Sequence, residues 1–102
     1  MASFQVTVPH ALSQETARAR VEKFLDDMQR DYAGQISDVQ GTWTGNQLAF
    51  AFVATGLQIG GTLAVNDKDI QVSGPLPMVA MMFQGRIVKS IRDELQRLLS
   101  QA

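Results

Sequence analysis

Between residues 36 and 76 the chain alternates apolar and polar side chains with a period of two, and Gly and Asn stand at the breaks in that pattern. Period two puts successive side chains on opposite faces, so this stretch is confined to strands, and its short breaks confine the strands to antiparallel neighbours. Residues 39–44 read as one strand, Gly45-Asn46 as a turn, and residues 47–54 as the next strand, with Leu48, Phe50 and Phe52 sharing a core face. Thr55-Gly56 leads into residues 57–65, and Asn66-Asp67-Lys68-Asp69 turns the chain into residues 70–74. The expectation is a meander of three or four strands with no helix inside it. Gly60-Gly61 falls within a strand, where missing side chains mark a bulge or a close backbone approach. No helix start follows the pair, which a phosphate-binding loop would require.

The flanks have other periods. Phe4, Val6 and Val8 alternate with Ser3, Gln5 and Thr7 as a first strand, ended by Pro9, which lacks a backbone donor. Ser13 stands as an N-cap with Glu15 in the first turn, opening a helix to about residue 33 that Gly34 closes as a left-handed cap. Its stripe is Ala17, Val21, Phe24, Leu25, Met28 and Tyr32. The opposite face carries Arg18, Arg20, Glu22, Lys23, Asp26, Asp27, Arg30 and Asp31, read as solvated, with Lys23 and Asp27 at i, i+4 spacing. A last helix runs to about residue 100, starting near Pro77 or, alternatively, at Gly85. Ile87, Ile91, Leu95 and Leu98 form its core stripe with either start, joined by Val79 and Phe83 with the earlier one. The fold class is therefore α+β: an antiparallel sheet of about four strands with two helices, in the order β-α-β-β-β-(β)-α, the long C-terminal helix packed on the sheet.

A chain of 102 residues suits one domain, residues 1–102, since domains of roughly 100 to 150 residues are commonest. It contains no cysteine, so disulfides and thiolate metal sites are excluded and stability comes from packing. Nine basic and ten acidic side chains give a net charge of -1, which supplies no overall field for nucleic acid or anionic lipid. The N-terminal residues lack the pattern of a signal peptide, and the apolar run at residues 75–83 falls far short of the roughly 20 residues that span a bilayer. The expected protein is cytoplasmic and soluble, without a membrane span.

Few residues offer chemistry. His10 is the sole histidine, with no cysteine to activate and no second histidine to form a metal pair, and its reading is structural or capping. Asp67 and Asp69 are what turn chemistry favours. Trp43 reads as a large hydrophobe closing one edge of the core. Arg86, Lys89, Arg92 and Arg97 are interrupted by Asp93 and Glu94, and no aromatic platform is interleaved. No catalytic, cofactor-binding or metal-binding residue is assigned, and no cofactor is expected.

Residues 76–83 stand apart. Leu76, Met78, Val79, Ala80, Met81, Met82 and Phe83 would surround a helix with apolar side chains, whereas a surface helix shows one stripe. Three of the five methionines lie here, and methionine adapts to irregular apolar surfaces. The candidate contact surface is Leu76, Met78, Val79, Met81, Met82 and Phe83, the other reading being burial between the sheet and the first helix.

Pro9-His10-Ala11-Leu12 opening an Ala- and Arg-rich helix, the hairpin from Trp43 to Phe52, the Gly60-Gly61 strand, and Gly85-x-Ile87-x3-Ile91-x2-Glu94-Leu95 together resemble the polyhydroxyalkanoic acid system proteins. The resemblance covers nearly the whole chain, through the order and spacing of short motifs. It implies a bacterial protein associated with making or using polyhydroxyalkanoate storage polyesters, in some members at the granule surface. The family brings no catalytic residues to carry over. This chain departs from more charged relatives in that no Arg or Lys interrupts residues 78–83. The leading expectation is a non-enzymatic accessory protein touching the granule, or a granule-bound protein, through residues 76–83. The alternatives are a hydroxyacyl-binding protein or enzyme with a pocket between sheet and helices, and a homodimeric interaction module.

Overall fold

In the computed structural model, which describes residues 2–54, 56–76 and 78–100, and only the backbone at Ala2 and at Met78, Val79 and Ala80, five strands form one sheet. The elements are β1 (Ala2–Pro9), α1 (Gln14–Val21), α2 (Phe24–Asp31), β2 (Ile36–Thr44), β3 (Gln47–Ala54), β4 (Leu57–Val65), β5 (Asp69–Leu76), a 3-10 segment (Met78–Phe83) and α3 (Gln84–Ser100). The spatial order is β1-β5-β4-β3-β2, every neighbouring pair antiparallel. Residues 36–76 thus form a four-stranded meander, and β1 adds a fifth strand by pairing along the length of β5 from Ala2 with Leu76 to Pro9 with Asp69. The α+β expectation holds, with five strands instead of about four.

The helices cover one face of the sheet, and the core lies between. Phe4, Val6 and Val8 of β1 stand opposite Gly74, Val72 and Ile70 of β5, and the same face continues through Leu63, Val65 and Ile59 of β4 to Leu48, Phe50 and Phe52 of β3. Ala17, Val21, Phe24 and Met28 cover it from α1 and α2, and Ile91, Leu95 and Leu98 from α3. Phe24 meets Phe50 edge-on, at 6.2 Å between ring centroids. The outer face carries mainly polar and small side chains, as expected for an antiparallel sheet wetted on one side.

A row of glycines gives the large rings their room. Gly41 stands opposite Phe50, Phe50 opposite Gly61, and Gly74 opposite Phe4. A Cβ on Gly61 would lie 2.5 Å from the Ser73 carbonyl oxygen, and one on Gly74 would lie 2.3 Å from that of Gly60. Gly60-Gly61 is therefore a close backbone approach between β4 and β5, while β4 stays in unbroken register with β3. The irregularity of the sheet sits in edge strand β2, between Ser37 and Gln40, where Asp38 has φ 52. Such a bulge interrupts an edge that could otherwise pair with another strand.

Two helix boundaries differ from expectation. The first helix is broken at Glu22 and Lys23, where the Lys23 N–H reaches back only to Arg20. No proline or glycine marks the break; it redirects the chain so that α1 packs on β4 and α3, and α2 on β2 and α3. Gly34 has the left-handed φ of 85 expected after a helix end. At the other boundary, α3 begins at Gln84, close to the Gly85 alternative, and the preceding turns are 3-10. The earlier candidate start, Pro77, lies outside the described residues. Among the described residues no helix is long and apolar enough to cross a membrane.

Candidate functional site

The apolar residues of the 76–83 stretch separate once the chain folds. Leu76 belongs to the core and not to a contact surface, because it falls on the same face of β5 as Ile70 and Val72 and points under the helices. Met81 and Met82 are 49% and 82% exposed, the two exposed large hydrophobic side chains among the described residues. Phe83 is half-buried at the junction with α3, and the side chains of Met78 and Val79 lie outside the described residues.

Phe83 also borders a groove of about 360 Å³ between α2, α3 and the end of the sheet where β3 turns into β4. Its floor is apolar and buried: Met28, Phe52, Ile59 and Ile91. Half-buried Tyr32, Ile36, Leu57 and Ile87 form its walls, and Gln35, Arg86, Lys89, Ser90 and Asp93 supply the polar groups at its rim. The Lys89 ammonium is paired with Asp93 at 3.0 Å. Arg86 makes no ion pair among the described residues, and the first turn of α3 holds no acidic residue. A cation near the positive end of a helix dipole, without a neighbouring carboxylate, leaves the rim positive where the groove opens. A pocket between sheet and helices is among the alternative expectations, without lining residues, and Arg86 stands there only in the interrupted basic run; the local signal for the lining is an apolar stripe at residues 83, 87 and 91 that begins before the helix itself.

Beyond the groove, α3 is fastened to α2. Arg97 Nη2 donates to Glu94 Oε2 at 2.6 Å, Asp27 Oδ2 at 3.1 Å and Asp31 Oδ2 at 3.2 Å, while Arg30 Nε donates to Asp31 at 3.0 Å. Asp27 and Glu94 are buried. Burial pushes the Glu94 carboxyl above the usual carboxylate range, against the opposing pull of Arg97. The hydrogen bond from Arg30 holds the Asp31 carboxyl below that range. Asp27 is thus not on a solvated face: α3 crosses α2 and covers it with Arg97, whereas Lys23, its expected partner, stays exposed. The cation held by these carboxylates is the chain's own guanidinium, so the cluster reads as a structural clamp. Its partners also remove Arg97 from any basic face on α3.

His10 and Trp43 lie away from the groove. The Leu12 N–H donates to His10 Nδ1 at 3.1 Å, which leaves Nε2 to donate to the Asn66 carbonyl at 3.0 Å. With Gln14 Nε2 donating to the Val65 carbonyl at 2.8 Å, His10 ties the start of α1 to the β4–β5 turn. Trp43 packs at the edge of the core, opposite Leu48, with the Arg18 guanidinium 4.3 Å above its ring. Among the described residues, neither faces a nucleophile or a matched acid or base.

No curated protein matches the chain. The family described as "Putative polyhydroxyalkanoic acid system protein" matches residues 4–99, nearly the whole length of the chain. That description names a polyester system and no reaction. With the match reaching from within β1 to within α3, the chain belongs to the polyhydroxyalkanoic acid system protein family.

Proposed function

We propose that this protein is a non-enzymatic accessory factor of polyhydroxyalkanoate metabolism that adsorbs to the storage-polyester granule in the cytoplasm through Met81, Met82 and the neighbouring Phe83. The observation that carries the reading is the exposure of Met81 and Met82 beside a half-buried Phe83 on a short 3-10 segment. Family membership supplies the polymer context. A polyester surface in water is apolar, so covering these side chains releases the same area-dependent free energy as core burial, roughly 1.5 to 3 kcal/mol for each one fully covered. Methionine suits such a surface because its unbranched thioether conforms to an irregular partner.

The test is co-sedimentation of the purified protein with native granules and with protein-free polyester particles, using wild type and the Met81→Asp/Met82→Asp double variant. The expected result is binding to both particles and loss of both in the variant. Binding to native granules alone would move the contact to a granule-bound protein. Unchanged binding by a folded double variant sinks the reading. Light scattering at two concentrations separates adsorption by a monomer from self-association through the same residues.

A further inference from the structure

We infer that the groove between α2, α3 and the β3–β4 end of the sheet binds a medium-chain hydroxyalkanoic acid, with the aliphatic tail on the buried floor and the carboxylate at Arg86. The floor formed by Phe52, Ile59 and Ile91 is apolar and already shaped, so occupation by an alkyl chain requires no unfolding of the core. A volume of about 360 Å³ lies near the lower end of the roughly 300 to 1,000 Å³ of small-molecule sites, which favours a single short chain over a long fatty acid or a folded cofactor.

The head group follows from charge. Among the rim cations, Lys89 is neutralised by Asp93, while Arg86 has no ionic partner among the described residues and stands in a helical turn without an acidic residue. A guanidinium at the mouth of an apolar groove is suited to a carboxylate, which it can bind through two parallel hydrogen bonds. Ser90 and Gln35 add neutral polar groups to the lining, available to a hydroxyl near the head of the ligand. The choice of a hydroxy acid rests on the polyester context of the family; Phe83 borders both sites, but the groove's floor and Arg86 are separate from Met81 and Met82.

The experiment titrates the full chain with 3-hydroxyoctanoate, followed by amide chemical shifts in NMR. Saturable shifts are expected at Ile36, Leu57, Phe83 and Ile87. Shortening the probe to 3-hydroxyhexanoate removes two methylenes and should weaken binding on the order of tenfold. Replacing the carboxylate by an alcohol, with octane-1,3-diol as the probe, or Arg86 by Gln, should each weaken it roughly tenfold, as a hydrogen-bonded charge pair at a partly wetted rim is lost. Arg86 is exposed, so Arg86→Gln should keep its fold, and Ile87→Trp should fill the groove and abolish binding. Shifts that never saturate, or that centre on Met81 and Met82, would overturn the groove assignment. So would equal affinity for octane-1,3-diol and 3-hydroxyoctanoate. The two sites fail separately: Met81→Asp/Met82→Asp should retain acid binding, and Arg86→Gln should retain granule co-sedimentation.

Discussion

The two ends of the C-terminal stretch, residues 81–100, are built on opposite terms. From Ile91 onward, Ile91, Leu95 and Leu98 are buried against the sheet, and Glu94 and Arg97 are joined to Asp27 and Asp31 of α2. At the other end, Met81 and Met82 face solvent, Ile87 and Phe83 border an open groove, and Arg86 has no ionic partner among the described residues. Charge is compensated and apolar surface is covered where the helix is anchored. Both are left open where it begins. The free energy of burial forgone at that end is what an external apolar or anionic partner can recover.

Substitutions at the two ends should therefore separate stability from binding. The largest loss is expected for Leu95→Ala, which empties a fully buried position at the anchored end: about 2 to 5 kcal/mol in chemical denaturation. A loss below about 1 kcal/mol would mean that α3 contributes little to the core. Arg97→Ala comes next, with a smaller loss than Leu95→Ala, because it leaves the buried Asp27 and Glu94 carboxylates without their shared donor. The comparison variant Lys89→Ala, which breaks an exposed pair at the open end, should change stability by less than about 0.5 kcal/mol.

The burial of Glu94 and the hydrogen bonding of Asp31 give the clamp a pH dependence with two opposite senses. Because the folded Glu94 carboxyl titrates above its ordinary 4.5, its contribution is fully present below that pH and is lost as pH rises through the elevated value. Asp31 has the opposite sense: its contribution is present above its ordinary 3.8 and is lost as pH falls through the depressed value. Glu94→Gln should remove the first effect and flatten the decline in denaturation midpoint above pH 4.5, leaving the acid-side loss in place. An unaltered profile would show that Glu94 does not titrate within the clamp. The smallest effect is expected at the exposed methionines, where Met82→Asp should stay within about 0.5 kcal/mol of wild type. A larger loss would mean that Met82 is structural, and would remove it from the proposed contact surface.

Much of the fold was legible in local pattern. The bounds of β3 and β4, the Gly45-Asn46 turn, and the inward faces of β1 and β3 follow directly from alternation and turn chemistry. The break at Glu22 and Lys23 was not legible, since its cause is the separate packing of α1 and α2 on different strands. Nor was the groove, whose lining comes from residues as distant in sequence as Met28 and Ile91. Asp27 looked solvated because its covering residue, Arg97, lies 70 positions away. The uniform hydrophobicity of residues 76–83 likewise concealed two different fates, burial at Leu76 and exposure at Met81 and Met82.

By itself, then, the sequence determined what depends on neighbours along the chain: period-two strands, capped helices, an apolar stripe on α3 and a segment with more hydrophobic side chains than one helix face can hide. Only the tertiary structure decided which of those side chains stay uncovered and which charges find partners. Exposure and ion pairing depend on how α2, α3 and the end of the sheet meet in space. At Phe83 and Arg86 they meet with a gap, and at Leu95 and Arg97 they close.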